Sequence, residues 1–404
     1  MTTTHPQVRA ASFAVFAVFV LNGANFSSWA ARLPAVRDGL DLQPAQMGLL
    51  LLIGSLGSIV ALPLSGLIVT RLGAARTVLT FALVNACGYL LAALGVGLGQ
   101  VPVVAAALVL CGIGTGVWDA SMNLEGALVE QRLGRTVMPR YHAGFSVGTV
   151  IAAGIAAVAA ATRVPVWVHL PVVVLLTTTG VFFAVRKFLP AGAAEAEAVH
   201  QEDGPRQSVF AAWLEPRTLL IGLVILAAAL TEGSANDWLS LAVVDGFHQN
   251  DTAGAIAFGI FVAAMTTMRF LGTVLLDRYG RVAVLRLCAG LALAGLLTFG
   301  LVPTDMLWLA VIGAVLWGMG AALGFPVGMS AASDDPLHAA ARVSVVSTIG
   351  YSAFLAGPPL LGLLADHVGY RHALLVIAVP IVIGLLVVKV AAPQRAVDPP
   401  TVGA

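Results

Sequence analysis

The sequence predicts an all-α membrane protein of twelve transmembrane helices arranged as two pseudo-symmetric six-helix bundles. Three observations lead there: a composition too apolar for a soluble surface, twelve runs of spanning length, and an internal repeat of about 207 residues. Of 404 residues, 59% are hydrophobic and 10% charged, where a soluble domain carries roughly 25% charged residues. Mean hydropathy is +0.95, so lipid must cover most of the surface. The net charge of +1 with no basic block argues against nucleic acid as a partner. Cys87, Cys111 and Cys288 lie within apolar runs and read as small hydrophobes, not as a disulfide framework.

Runs long enough to cross a bilayer lie at about 11–31, 47–69, 77–97, 103–126, 143–161 and 167–188, then 219–243, 253–276, 283–301, 306–329, 343–365 and 373–390. They divide the chain into an N-terminal bundle over 1–188 and a C-terminal bundle over 218–392. The segment 189–217 between them is rich in acids without an apolar period, which reads as a cytoplasmic linker. Residues 393–404 form a cytoplasmic tail.

Lys and Arg stay cytoplasmic during insertion. With the N-terminus inside, sixteen of the 21 basic residues fall in inside segments, and Arg32, Arg37, Arg163 and Arg371 fall outside. Both termini are therefore expected in the cytoplasm. Arg9, the apolar run after it and Trp29-Ala30-Ala31 could also pass for a cleaved signal peptide, but cleavage would delete one helix of a matched pair.

The matching comes from the repeat. Gly112 and Gly114 meet Gly318 and Gly320, Gly144-Phe145-Ser146 meets Gly350-Tyr351-Ser352, and Arg71-Leu72-Gly73 meets Arg278-Tyr279-Gly280 at a nearly constant offset. Asn22-Gly23 with Trp29 resembles Glu232-Gly233 with Trp238. Duplicated six-helix halves imply a substrate site at their interface near mid-membrane.

On these residues the chain resembles the major facilitator superfamily over essentially its whole length. That family carries a Gly, an acid, Arg, Gly and a further basic residue after the second span of each half. The first copy here runs from Gly66 to Gly73 with Arg76 following, and the second is Asp277-Arg278-Tyr279-Gly280-Arg281. Thr70 replaces the usual acid in the first copy. The resemblance implies Arg71, Asp277 and Arg278 as inter-bundle latch candidates. Gly112 to Asn123 is similar to the fourth span of the fucose permease group, which implies Asp119 as a protonatable or sugar-contacting group with Asn123 four residues on. The acid which that group carries in its first span is missing here. Trp29, Arg32, Pro34, Asp119, Asn123, Glu232 and Asp237-Trp238 together resemble a set of bacterial inner-membrane permeases of mostly unassigned substrate.

Charges inside spans are the residues that lipid disfavours, at roughly 2.5–3.5 kcal/mol each near the bilayer centre. They are Asp119, Glu125, Glu232, Asp237 and Arg269, with Arg32 at the end of the first span. Helical rise puts Glu232 and Asp237 in the outer half, where Arg32 is expected to pair with one of them when the outside is shut. Asp119 and Arg269 share a level in the inner third and are expected to form an inner latch. The alternative for both pairs is a static interhelical salt bridge. Asn22, Asn25, Trp29 and Arg32 share one helical face, as do Glu232, Asn236 and Ser240. Such stripes suit a cavity that hydrogen-bonds a substrate. Helix glue and, for Trp29 and Trp238, an interfacial belt are the competing readings. His142 is either a solvated cap or a sensor of inner pH, and Gly357-Pro358-Pro359 marks a hinge or kink.

There is no phosphate-binding GxxxxGK[ST] loop, HExxH pair or GxSxG elbow, which leaves secondary transport and little basis for an enzyme. An intramembrane enzyme using His142 or Asp119 is the rival class. No cofactor or metal is expected. The expected partners are a small-molecule substrate, protons and the bilayer, with the chain a monomer in the cell (inner) membrane. Proton-coupled uptake of a small polar compound such as a sugar is favoured over proton-coupled efflux of a drug or metabolite, with Asp119 and Glu232 as the coupling carboxylates.

Overall fold

A computed structural model describes residues 5–134, 137–190, 209–335 and 338–393. Most of the expected linker and nearly all of the expected tail lie outside the described residues. The helices are α1 (His5–Ala30), α2 (Leu33–Leu40), α3 (Pro44–Leu72), α4 (Ala74–Gly97), α5 (Val101–Leu133), α6 (Met138–Ala161) and α7 (Val166–Ala184), then α8 (Val209–Ala212), α9 (Pro216–Gly246), α10 (Asp251–Leu301), α11 (Leu307–Ala321), α12 (Gly324–Ala332), α13 (Ala339–Ala373) and α14 (Ala378–Val387). Ten helical stretches among the described residues are long and apolar enough to cross a membrane.

Two of those stretches, Asp251–Leu301 and Ala341–Ala391, have 51 residues each. At 1.5 Å per residue that is about twice the length a bilayer needs. Each breaks at a glycine with positive φ, Gly280 (φ 73°) and Gly369 (φ 79°), a region open to glycine and closed to most side chains. Gly73, the repeat partner of Gly280, has nearly the same conformation (φ 77°, ψ 154° against φ 73°, ψ 165°).

Local chemistry sets the other ends. Proline occupies the first turn of α2, α3, α5, α6 and α9, where its missing N–H costs nothing. Glu130 accepts from the backbone N–H groups of Val137 and Met138 at 2.6 and 2.7 Å, capping the start of α6. Glu125, one of the in-span charges, accepts from the Leu189 N–H at 2.7 Å, holding the chain just beyond α7. Pro358 and Pro359 lie within α13, which shows no non-helical residue before Gly369. The expected hinge is thus not a break in the helix.

The repeat reappears in packing. A Cβ on Gly112 would lie 2.1 Å from the Gly54 carbonyl oxygen of α3, and one on Gly114 would lie 2.5 Å from the Asn85 nitrogen of α4. Their partners Gly318 and Gly320 stand equally close to Phe261 and Ala292 of α10, at 2.3 and 2.2 Å. Small residues bring backbones together where lipid offers no hydrophobic drive for association.

At the end carrying α2, one apolar core runs through both segments, from Trp29, Leu33 and Met47 to Trp238 and Leu361. Towards the opposite end the N-terminal segment keeps its own core around Val15, Phe19, Trp118 and Tyr141.

Candidate functional site

Arg269, from the middle of α10, joins four elements. Its Nη2 donates to both carboxylate oxygens of Glu232 on α9 at 3.1 Å. Its Nη1 donates to the Ser146 hydroxyl on α6 at 3.3 Å, and its Nε donates to the Ala322 carbonyl at 3.3 Å. Ala322 lies where α11 gives way to α12, so the interruption supplies an acceptor. The ion pair is half sheltered, with about a quarter of each side chain exposed. His142, exposed on α6 one turn before Ser146, feels the Arg269 charge.

The Asp119 carboxylate on α5 has no hydrogen-bond or ion-pair partner among the described residues, and Tyr351 on α13 lies within its electrostatic reach. Asn123 donates to the Asp119 backbone carbonyl at 2.9 Å. Asn236 is half-buried without a hydrogen-bond partner among the described residues. Asp237 lies in a small cleft with Ser234, Phe354, Gly357 and Pro358, and its carboxylate likewise lacks a partner among the described residues. Aromatic rings pair on α1, α6, α12 and α13: Phe26 with Phe145, and Tyr351 with both Phe325 and Phe354, at centroid distances of 6.2–6.3 Å.

Several expected partnerships are replaced. Arg32 pairs with neither Asp237 nor Glu232. It is 4% exposed and its Nη2 donates to the Val164 carbonyl at 2.9 Å. The reason is length: α9 runs from Pro216 to Gly246, which puts Glu232 at its middle and level with Arg269. The same pairing replaces the expected Asp119–Arg269 latch. Asn25 turns into its own segment, donating to Asn85 at 3.1 Å and accepting from Thr177 at 2.8 Å, while Asn85 donates to Thr115 at 2.9 Å. Asn22 is buried against the Met122 sulfur at 3.6 Å. Both asparagines are helix glue in this conformation. Trp29 and Trp238 are buried beside Tyr89 and Tyr370 instead of standing exposed as belt residues, and Trp238 also lines the small cleft that holds Asp237. Arg71, Asp277 and Arg278 are exposed and form no ion pair among the described residues. The basic residue that ends the second loop copy, Arg281, pairs with Asp334, which also pairs with Arg217.

The α2 end holds contacts that sequence reasoning missed. Arg37 on α2 pairs with Asp245 at the end of α9, and with its neighbour Asp38 at 2.7 Å. Burial alone would lower the Arg37 pKa, but Asp245 and Asp38 together raise it, so the guanidinium stays charged. The Ala45 N–H donates to Asp366 at 3.1 Å. A Cβ on Gly48 would stand 2.5 Å from the Pro358 carbonyl oxygen, and one on Gly259 would stand 3.3 Å from the Ala153 Cβ. Apolar patterning identified which charges fall within spans, but it does not show which loop meets which helix.

The Major Facilitator Superfamily profile matches residues 14–352 and again 221–403. The chain is 32% identical to an uncharacterized transporter of Sinorhizobium fredii over 88% of this chain and 92% of that protein. It is 29% identical to an uncharacterized MFS-type transporter of Yersinia pestis over 94% of each. Among solved structures it resembles the nucleoside transporter NupG, with TM-score 0.74 at 13% identity over 94% of this chain and 98% of that one. It also resembles the E. coli fucose:proton symporter FucP, with TM-score 0.63 at 14% identity over 95% and 98%. The chain therefore belongs to the Major Facilitator Superfamily and is a multi-pass membrane transport protein, not an enzyme.

Proposed function

We propose that the protein is a secondary active transporter that moves a small polar solute by alternating access. In this reading the two 51-residue stretches each cross the bilayer twice, giving twelve spans in two six-helix bundles with both termini cytoplasmic. The α2 end then faces outward, and the contacts between the segments there close the outer side. The observation that carries the proposal is the Arg269 hub, which holds Glu232 in its own segment and reaches Ser146 of the other one, together with an Asp119 carboxylate that has no partner among the described residues. A charge pair within one moving part that also hydrogen-bonds the other can be remade by a proton or a substrate.

Proton-coupled uptake is the favoured direction. Asp119 is the coupling carboxylate, because no cation fixes its charge, and Glu232 is the carboxylate that Arg269 releases on protonation. Aromatic faces at Phe26, Phe145 and Tyr351 with polar ends at Asn123 and Asn236 suit a sugar-like molecule. The nucleoside transporter and the fucose and D-xylose proton symporters among the structural neighbours support this substrate class by fold. Efflux of a cationic drug or metabolite is the second reading, favoured by the same Asp119 beside Tyr351. A thermal-shift screen of the purified protein over sugars, nucleosides, carboxylates, amines and antibiotics separates the two, since a ligand stabilises by mass action. A sugar or nucleoside hit that accumulates unchanged in proteoliposomes under an inwardly directed proton gradient is the expected result. Hits confined to hydrophobic cations, expelled under that gradient, would replace uptake with efflux.

A further inference from the structure

A groove of about 410 Å³ opens at the end away from α2, lined by Arg9, Phe13 and Phe16 of α1, Arg140 and Val147 of α6, and Phe270 of α10. Its floor includes Ser12 and Tyr141, whose hydroxyls hydrogen-bond to each other at 2.8 Å. None of Arg269, Glu232, Ser146 and Asp119 lines the groove. On α6, Val147, Ile151, Ile155 and Val158 share one face and are 38%, 54%, 50% and 64% exposed. The last three lie towards the α2 end, where the two segments pack together, so this face meets lipid. Phe270 and Val274 continue the same apolar flank on α10, at 58% and 65% exposed.

The charges above this wall are unused. Arg9 and Arg140 are exposed, and neither has a hydrogen-bond or ion-pair partner among the described residues. Arg9 lies near the start of α1 and Arg140 near the start of α6, so both stand at the level of a membrane surface. Phe16 and Val147 each follow their arginine by seven residues, about 10 Å deeper at helical rise. Two free cations over an apolar wall of that depth match a phosphate with an acyl chain below it.

We propose that this groove binds an anionic phospholipid, its phosphate between Arg9 and Arg140 and its acyl chain along Phe13, Phe16, Val147 and Phe270. The occupant comes from the bilayer because the wall faces the bilayer. Each basic residue beside an anionic membrane surface favours binding by about fivefold, so two give a preference well above tenfold over a zwitterionic lipid. Phe270 comes from α10 and the rest of the wall from the N-terminal segment. A lipid in the groove therefore touches both, and its binding is linked to their relative position.

The test is native mass spectrometry of the purified full-length protein with equal amounts of phosphatidylglycerol and phosphatidylcholine. Wild type is expected to retain phosphatidylglycerol at least about tenfold better, a preference that two basic contacts produce. Arg9→Gln/Arg140→Gln should lose the preference. Val147→Trp, which fills the groove and leaves both charges, should lower phosphatidylglycerol retention severalfold with an unchanged thermal midpoint. Millimolar inorganic phosphate should leave the bound lipid in place. Equal retention of the two lipids by wild type, a preference surviving in the double variant, or displacement by phosphate alone would each overturn the assignment.

Discussion

At the scale of single residues, lipid marks the candidate positions. Asp119, Glu232, Asp237 and Arg269 could be picked out because a charge inside a span is costly without a reason to be there. Their partners could not be read, because partner choice depends on which helices become neighbours. Asn85, Thr115 and Thr177 went unnoticed for a different reason: a neutral polar residue among apolar ones carries no comparable signal. Arg269→Ala should destabilise the protein by about 1–3 kcal/mol, less than a fully buried pair because solvent reaches both partners. Adding Glu232→Gln to it should recover part of that loss, measured by thermal unfolding in detergent. Solute transport should stay abolished in both variants. Asp119→Asn should remove accumulation driven by a proton gradient while sparing solute exchange, measured in proteoliposomes. An unchanged pH dependence in that variant would take Asp119 out of the coupling role.

At the scale of helices, the repeat was readable and its purpose emerged from packing. Gly112 and Gly318 occupy matching close approaches, to Gly54 of α3 and Phe261 of α10, so the offset in sequence is an offset in contact geometry. Gly112→Ala and Gly318→Ala should each cost about 1–3 kcal/mol through forced backbone shifts. Gly154→Ala on α6, where nothing lies within 4 Å of the added methyl, should leave stability unchanged or raise it by up to about 1 kcal/mol through better helix propensity. The comparison is made by thermal midpoint, and equal losses at all three positions would contradict the packing account. The turns at Gly73 and Gly280 were also visible in advance as parts of the duplicated loop motif. The proline pair in α13 misled, because a helix in lipid can carry proline when its neighbours absorb the lost hydrogen bond.

At the scale of the whole molecule, the two segments meet at the α2 end, through Arg37 with Asp245, Ala45 with Asp366, and the contacts of α3 with α13 and of α6 with α10. Sequence patterning shows the apolar helical stretches and their order, but closure of one end is a relation between surfaces far apart in the chain. In the proposed mechanism that relation is the conformational half, and it can be locked. Gly259 and Ala153 each lie eight residues from the α2 end of their helices, and an added Cβ on Gly259 would stand 3.3 Å from the Ala153 Cβ, close to disulfide geometry. The most direct test is solute accumulation in proteoliposomes by Ala153→Cys/Gly259→Cys, with Cys87, Cys111 and Cys288 replaced by alanine. Alternating access predicts no accumulation when the pair is oxidised and recovery on reduction. Undiminished accumulation by the fully cross-linked protein would contradict it.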